Sequence, residues 1–415
     1  MKLGIVSDLH IGYERFFEDA YTQAREALER AASMADALII PGDVFDKRAP
    51  RPEAIAQAIN IFRDISHRNW GAKVVEFASK SGQENRIYTE VPVVAIPGTH
   101  ERTAEGKENS LKLLSLAGLL VDTSEAVTVL QKGGEKIAIF GLGGVSEERV
   151  KEKLRQLDPK PMAGAFNIFM FHQSTYELLP FSGDFIHYDD LPSGFDLYVN
   201  GHIHSRVEAS VHSKKLLIPG STVLTQLKEG EQESKGFIIY DTKEGTYTFE
   251  HINSRPFIAR RISMNEATPK DILARCESEI ENALAFAKTK PIIKLYIEGY
   301  IKEGFSGSDM PLRMLSMKYS NKTFLDIDSS GLKSRDVEKS IDELREGKLG
   351  ELSIKELGMS MLSARLKEAK FDPKLDFQEL FNILSDSSSK EKVLKNAMEY
   401  LSDRHKTEVD SNLQT

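Results

Sequence analysis

Short, nearly continuous apolar runs recur through the first 255 residues, and this feature restricts the fold more than any other. The first three runs span residues 3–6, 37–40 and 91–96. Such runs are typical of strands that are buried on both faces of a sheet. An apolar stripe at helical spacing, residues 17–31, separates the first two runs. This alternation of strands and helices predicts an α/β fold.

The section after residue 122 contains more strands than helices. Residues 246–252 alternate polar and apolar side chains, a pattern that indicates an antiparallel edge or outer strand. We therefore predict a two-sheet α/β sandwich over residues 1–255, with helices on its outer faces. The further apolar runs span residues 136–140, 166–171, 195–199, 215–218 and 237–240.

The composition changes near residue 255. Residues 256–335 offer a helix at 269–287 and strands at 291–297 and 323–327, which is enough for a small α/β domain. Residues 336–415 are highly charged, and two apolar stripes there predict a helix–loop–helix tail. Because such narrow stripes cannot bury themselves alone, the tail must pack on a partner or on the chain's own body. The stripes are Ile354, Leu357, Met361, Leu362 and Leu366, followed by Phe377, Leu380, Phe381 and Leu384.

The bulk properties exclude few functions. At 415 residues the chain is too long for one compact core. A single cysteine, Cys276, excludes a disulfide framework and suits a reducing compartment. We expect no membrane partner, because no apolar run approaches the ~20 residues that cross a bilayer and no signal peptide precedes the first strand. The net charge of −8 neither indicates nor excludes nucleic-acid binding.

Histidine and aspartate side chains gather where the predicted strands end. Because the carboxyl ends of strands in an open α/β sheet meet at one rim, we expect these side chains to converge. A hydrogen-bonded loop histidine would explain any one of them, but not all five histidines together. Ligands of these two types can hold two divalent metals roughly 3.5–4 Å apart, which points to phosphate-ester hydrolysis. The candidates are Asp8, His10, Asp43, His100, His172, His202 and His204.

The order and spacing of these residues resemble the calcineurin-like metallophosphoesterases. Within that superfamily the chain is most similar to archaeal-type double-strand-break repair nucleases of the meiotic recombination eleven and SbcD family. Residues 42–46, 219–222, 231–237 and 254–257 carry the narrower resemblance, which covers the phosphodiesterase core, a small DNA-binding capping domain and the tail. The superfamily motifs are Asp8-x-His10, Gly42-Asp43, Gly98-x-His100-Glu101, His172 and Gly201-His202-x-His204.

The resemblance implies a nuclease that hydrolyses phosphodiesters with two metal ions. Mn²⁺ suits the ligands, with iron or zinc as alternatives. His100 would contact the scissile phosphate and assist the leaving oxygen as a general acid, while Glu101 would either orient a histidine or face solvent. The first ion would be held by Asp8, His10, Asp43 and His204, and the second by Asp43, His172, His202 and Thr99.

Two positions depart from the family pattern. The family usually has asparagine where this chain has Thr99. A threonine hydroxyl is shorter and a poorer donor to a hard cation, so we expect the second metal to be weakly held. Archaeal and eukaryotic members often have histidine where this chain has Asp46. Aspartate there resembles the bacterial branch, which leaves the balance of exonuclease and endonuclease activity open.

The resemblance also implies DNA and protein partners. Lys47, Arg48 and Arg51 are the candidates for gripping DNA phosphates, although a solvated loop explains them equally well. A homodimer would form through Ile59, Phe62, Leu111 and Leu114, with ordinary core packing as the alternative. The tail would dock on an SMC-like ATPase of the Rad-fifty type, in the cytoplasm at the nucleoid. Further basic candidates are Arg102, Lys107, Arg206 and Arg255.

Three functions remain open on the sequence alone. The first is a manganese-dependent DNA nuclease that processes double-strand breaks in a complex with the ATPase. The second is a phosphodiesterase for small substrates, which would not need the extra domain and tail. The third is a DNA-end-binding scaffold whose catalysis is weakened by Thr99.

Overall fold

The computed structural model describes residues 1–79, 90–103, 107–180, 185–228, 233–287, 289–305 and 310–335, together with 394, 395 and 398. The chain forms two compact units. The first comprises Met1–Ser263, Lys270–Glu298 and Met310–Gly331, and the second Met264–Pro269, Gly299–Asp309 and Leu332–Thr415. Almost all of the predicted tail lies outside the described residues. Its helices and the domain boundaries at 255 and 335 therefore stay predictions.

The described elements alternate as the apolar runs predict. Among them no helix is both long and apolar enough to cross a bilayer. In chain order they are β1 (Lys2–Ile5), α1 (Phe17–Met34), β2 (Ala37–Pro41), α2 (Pro52–Ser66), β3 (Lys73–Ser79), β4 (Val93–Ile96), α3 (Ser110–Leu116), β5 (Val121–Asp122), β6 (Ala126–Lys132), β7 (Glu135–Leu142), α4 (Glu147–Leu157), β8 (Phe166–Phe171), β9 (Leu197–Asn200), β10 (Val207–Val211), β11 (Lys214–Ile218), β12 (Gly236–Asp241), β13 (Thr246–His251), β14 (Phe257–Ala267), α5 (Pro269–Ala285), β15 (Ile292–Ile301), α6 (Leu312–Tyr319) and β16 (Phe324–Ser334).

Two large sheets form the core of the first unit. One has six strands in the order β13-β12-β1-β2-β4-β5, and the other has seven in the order β10-β11-β9-β8-β7-β6-β3. The strands β1, β2, β4 and β5 run parallel, as do β7, β8 and β9. The alternating strand β13 is an antiparallel edge strand, which confirms its prediction.

The two sheets pack face to face, and helices cover their outer faces. Leu3 and Ile39 of one sheet share a buried cluster with Ile139 and Ile168 of the other. The helices α1, α2 and α3 bury their apolar faces on the outer side of the six-stranded sheet. Helix α4 does the same on the seven-stranded sheet through Val150. The predicted α/β sandwich is therefore confirmed.

A third sheet follows the sandwich in the sequence. Its strands lie in the order β14-β15-β16, and α5 and α6 connect them. The predicted helix and both predicted strands of this region are present, so its α/β character is confirmed. The strand β14 is an addition that the apolar runs do not predict.

Candidate metal centre

All eight predicted ligand and catalytic positions lie just beyond the carboxyl ends of five strands. Three of these strands belong to the six-stranded sheet and two to the seven-stranded sheet, so the site forms where the rims of both sheets meet. Such rims are where side chains from separate loops converge. Asp8 and His10 follow β1, Asp43 follows β2, Thr99 and His100 follow β4, His172 follows β8, and His202 and His204 follow β9.

The first group of side chains contains Asp8, His10 and His204. One ligand atom from each lies within 4.8 Å of the other two. The Nε2 atoms of His10 and His204 are 3.2 Å apart, and Nε2 of His204 is 3.9 Å from Oδ1 of Asp8. Two imidazole lone pairs at this separation repel unless a proton or a cation lies between them, so the group fits a metal ion.

The second group contains Asp8, Asp43 and His172, again within 4.8 Å. Nε2 of His172 is 3.2 Å from Oδ2 of Asp43, and the His172 and His202 ring centroids are 5.2 Å apart. The hydroxyl of Thr99 faces Nδ1 of His202 at 3.5 Å. The resemblance gives the shared position to Asp43, whereas here Asp8 belongs to both groups.

Two buried imidazole nitrogens in these groups lie near a carboxylate without the alignment of a hydrogen bond. They are Nδ1 of His10, 3.3 Å from Asp46, and Nε2 of His172, 3.2 Å from Asp43. Buried polar atoms are nearly always satisfied, so Nε2 of His172, which faces the second group, fits a metal ligand. Asp8, His10, Asp43 and His202 also have left-handed backbone conformations, with φ from 46° to 70°. Backbone strain of this kind concentrates at functional sites.

The buried carboxylates and His172 shift one another's proton affinity. Burial raises the pKa of Asp8, against the opposing charge of His172. Burial also acts to raise the pKa of Asp43, but the charge of the nearby His172 outweighs it and holds that pKa far below its usual range. Burial acts to lower the pKa of His172, yet Asp43 outweighs it and raises that pKa to about 9. A metal ion would replace the proton that His172 otherwise carries.

The two histidines after β9 remain neutral. Burial and the neighbouring charge of His172 lower the pKa of His202 to about 4. Burial, followed by the charges of His10 and Lys235, lowers the pKa of His204 well below its usual value. Neutral imidazoles are the form that binds metal.

Hydrogen bonds at the outer nitrogens orient the rings. Nδ1 of His172 lies 2.7 Å from the carbonyl oxygen of Pro41, which directs Nε2 into the site. Nδ1 of His204 contacts the hydroxyl of Thr225. The carboxylate of Asp46 lies 3.3 Å from Nδ1 of His10. Sequence reasoning missed Pro41 and Thr225. Their partners lie far away along the chain, and no local pattern marks them.

The prediction for Glu101 was wrong. It neither orients a histidine nor faces solvent, because its fully buried carboxylate accepts hydrogen bonds from the backbone N–H groups of Phe45 and Gly98, at 3.0 and 2.9 Å. It therefore joins the loop after β2 to the loop after β4. Burial and the charge of Asp43 raise the pKa of Glu101 to about 8.

His100 lies at the exposed edge of the site. Its backbone N–H donates to Oδ1 of Asp43 at 2.9 Å, and Nδ1 of its ring lies 2.5 Å from the carbonyl oxygen of Asp46. A carbonyl only accepts, so Nδ1 carries the proton. This arrangement leaves Nε2 as the ring nitrogen that can face a substrate.

The basic candidates separate into paired and unpaired residues. Lys47 and Arg51 both contact the Glu14 carboxylate, at 2.8 and 2.6 Å. Arg48, by contrast, lines an open cleft. Two of the further basic candidates also interact with other side chains. Arg255 pairs with Asp19, and Arg206 lies over the Phe249 ring at 4.6 Å.

The dimer candidates are mostly core residues. Phe62, Leu111 and Leu114 are buried in the cluster under α2 and α3, so core packing accounts for them. Ile59 of α2 is 38% exposed, and the apolar residues Leu113 and Leu116 of α3 are exposed as well. Any partner that binds to these helices would therefore contact Ile59, Leu113 and Leu116.

Comparison with known proteins identifies the family of residues 1–206. Residues 1–206 match the family model described as calcineurin-like phosphoesterase. These residues form a calcineurin-like phosphoesterase domain. The match confirms the resemblance that the motifs of the loops after β1, β2, β4 and β8 predict, and it ends just past the His204 ligand loop.

The curated relatives that the chain resembles are described as double-strand break repair proteins. The chain is 26% identical over 314 residues to the double-strand break repair protein MRE11 of Encephalitozoon cuniculi, covering 70% of this chain and 54% of the relative. It is 24% identical over 377 residues to MRE11 of Arabidopsis thaliana, at 79% and 51% coverage. The human MRE11 matches over 271 residues at 26% identity, covering 56% and 38%. The narrower resemblance is thus confirmed, and the chain spans about half the length of the curated relatives it matches, or less.

Proposed function

We propose that this chain is a metal-dependent DNA nuclease that hydrolyses phosphodiester bonds at double-strand breaks. The observation that carries the proposal is the convergence of Asp8, Asp43, His10, His172 and His204 on one rim, where the buried Nε2 of His172 has no aligned hydrogen bond among the described residues. The printed name of the relatives, double-strand break repair protein, supports DNA as the substrate.

Two divalent ions, most suitably Mn²⁺, fit these ligands. Asp8, His10 and His204 would hold one ion, while Asp43, His172, His202 and Thr99 would hold the other, with a carboxylate shared between them. Such ions supply charge neutralisation and an activated water for phosphodiester hydrolysis. The protein would orient the imidazole rings of His172 and His204 through their contacts with Pro41 and Thr225. His100 would present Nε2 to the phosphate and, with a second proton taken up on Nε2, would give that proton to the leaving oxygen.

The partners that we propose are those that the family resemblance of the sequence implies. A homodimer would use the exposed side of α2 and α3, where Ile59, Leu113 and Leu116 lie. The tail after residue 335 would bind an SMC-like ATPase of the Rad-fifty type, and the complex would work in the cytoplasm at the nucleoid. Deleting the tail should abolish ATPase binding and leave hydrolysis intact. A truncated chain that still bound the ATPase would refute this assignment.

One assay separates the proposal from its alternatives. The purified chain is incubated with Mn²⁺ and single-stranded DNA, double-stranded DNA or bis-p-nitrophenyl phosphate. A His100→Gln variant is run beside a His187→Gln control, whose ring is nearly half exposed and contacts Glu177 instead. We expect DNA hydrolysis that only His100→Gln reduces. Cleavage of the small ester alone would favour a small-substrate phosphodiesterase. DNA binding without any hydrolysis would favour the scaffold, which the weak Thr99 donor makes the second candidate.

A further inference from the structure

A cleft lined by charged side chains lies beside the metal centre. Its volume is about 490 Å³. Arg48 and Arg102 line the cleft. Arg48 follows Asp46 by two residues and Arg102 follows His100 by two residues, and Asp46 and His100 contact each other. Gly144, on the same lining, packs against the loop after β4, because an added Cβ would lie 2.8 Å from the backbone nitrogen of Thr99. The cleft therefore continues from the edge of the site that His100 occupies.

The cleft has an excess of positive charge. Arg48, Arg102 and Arg149 line it, and none has a carboxylate within ion-pair distance in the part of the chain that is described. The fourth cation, Lys153, pairs with Glu125 at 2.7 Å. Glu152 is the remaining acid of the lining, so four positive charges face two negative ones. This local excess stands out in a chain whose net charge is −8.

Unpaired guanidinium groups in one cleft favour a phosphate ligand. Arginine keeps its charge at every physiological pH, and its planar fork binds phosphate oxygens in pairs. The volume falls in the range of roughly 300–1,000 Å³ that small-molecule sites occupy, but such sites are mostly apolar. Here the lining is charged and polar instead. A flexible chain of phosphates satisfies three separated arginines better than one compact anion does.

We propose that the cleft binds backbone phosphates of the DNA strand that continues past the scissile bond on the His100 side. The proposal rests on the nuclease function, which it deepens by assigning the strand a path along Arg48, Arg102 and Arg149. Binding along this path is independent of base sequence, because only phosphates are contacted. It should also weaken with salt, by a slope of about 0.7 per phosphate contact for a single strand.

The test uses Arg149→Gln, with Arg155→Gln as the matched control. Both arginines are exposed on α4, but Arg155 lines a separate surface with Leu154 and Asp158. Binding of a labelled single-stranded oligonucleotide is measured by fluorescence anisotropy from 50 to 200 mM salt, and cleavage of that oligonucleotide is compared with bis-p-nitrophenyl phosphate. We expect Arg149→Gln to weaken oligonucleotide binding roughly three- to tenfold. The slope of log affinity against log salt should become shallower by about 0.7, the value for one phosphate contact on a single strand. Hydrolysis of the small ester should stay unchanged.

The outcomes also separate this proposal from the nuclease function. If the wild type binds DNA but does not cut it, a loss confined to Arg149→Gln still supports the cleft while the nuclease function fails. If Arg149→Gln behaves like Arg155→Gln in binding and salt slope, the cleft assignment is overturned while the nuclease stands. An equal loss on DNA and on the small ester overturns it as well, because that result indicates damage to the metal centre.

Discussion

Nε2 of His172 lies 3.2 Å from Oδ2 of Asp43, and both side chains are buried. Without metal the two form an ion pair in which His172 carries a proton. Burial alone would lower the pKa of His172, but Asp43 outweighs it and raises the pKa to about 9. The same pair is therefore an internal salt bridge in the metal-free protein and would supply two ligands to a bound metal.

This pair makes the stability of the metal-free protein depend on pH. A histidine whose folded pKa exceeds the unfolded value of about 6.5 stabilises the fold fully below pH 6.5, and the contribution is lost as the pH rises through 9. We expect the free energy of unfolding in EDTA to fall by on the order of 1–3 kcal/mol between pH 6.5 and 9. Urea denaturation at several pH values measures it.

Two controls identify the source of this pH dependence. His172→Gln removes the titrating ring, so its unfolding free energy should vary less over the same interval. Saturating Mn²⁺ should also remove the decline, because a bound metal keeps the imidazole neutral. Identical profiles for the wild type and His172→Gln would show that other groups cause the change.

The sequence was sufficient to predict the sandwich and the convergence of the candidate ligands, because both depend on local patterns. A buried strand needs a continuous apolar run, and a ligand at its carboxyl end follows within a few residues, as Asp43 follows β2. Continuous apolar runs miss some strands at sheet edges. The strands β3, β10 and β14 all lie at edges, where polar residues such as Glu76 and Glu208 are tolerated, and the apolar runs do not predict them.

Contacts between distant loops were beyond such patterns. Glu101 reaches the backbone of Phe45, 56 residues away, and no local spacing encodes that contact. Periodicity also could not distinguish the two sides of a helix that packs on a sheet. It marked Phe62 and Leu111 as candidates for a partner, whereas both are buried in the core.

Replacing Glu101 by glutamine should weaken the link between the ligand loops. The amide keeps one acceptor oxygen but turns an N–H group toward one of the two backbone donors, Phe45 or Gly98. We expect a loss of about 1–3 kcal/mol in unfolding free energy, together with slower hydrolysis, because the Gly98 loop carries His100. Urea denaturation and ester hydrolysis measure the two effects. Glu244→Gln, at an exposed turn, should change neither; a Glu101→Gln protein as stable as this control would contradict the prediction.

Thr99 should limit the second metal. Its hydroxyl lies 3.5 Å from Nδ1 of His202, next to the ligands of the second group. Thr99→Asn supplies a longer side chain with a better donor oxygen, so the Mn²⁺ concentration for half-maximal activity should fall by roughly tenfold. Thr99→Val keeps the shape without the donor, so it should need more Mn²⁺ than the wild type. Equal Mn²⁺ requirements in all three proteins would rule out a role for residue 99.

The absence of a side chain at Gly98 should be necessary for the geometry of the metal centre. A Cβ there would lie 2.1 Å from Oδ1 of Asp43 and 2.4 Å from its backbone nitrogen, and neither atom can retreat, because Oδ1 also accepts from His100. Gly98→Ala should therefore displace a metal ligand and reduce hydrolysis of bis-p-nitrophenyl phosphate on the order of 100-fold. Gly134→Ala is the matched control, since a Cβ there meets nothing within 4 Å. If Gly98→Ala stays as active as Gly134→Ala, the loops after β2 and β4 can separate without loss of activity. The inference that Glu101 must hold these two loops together would then be wrong.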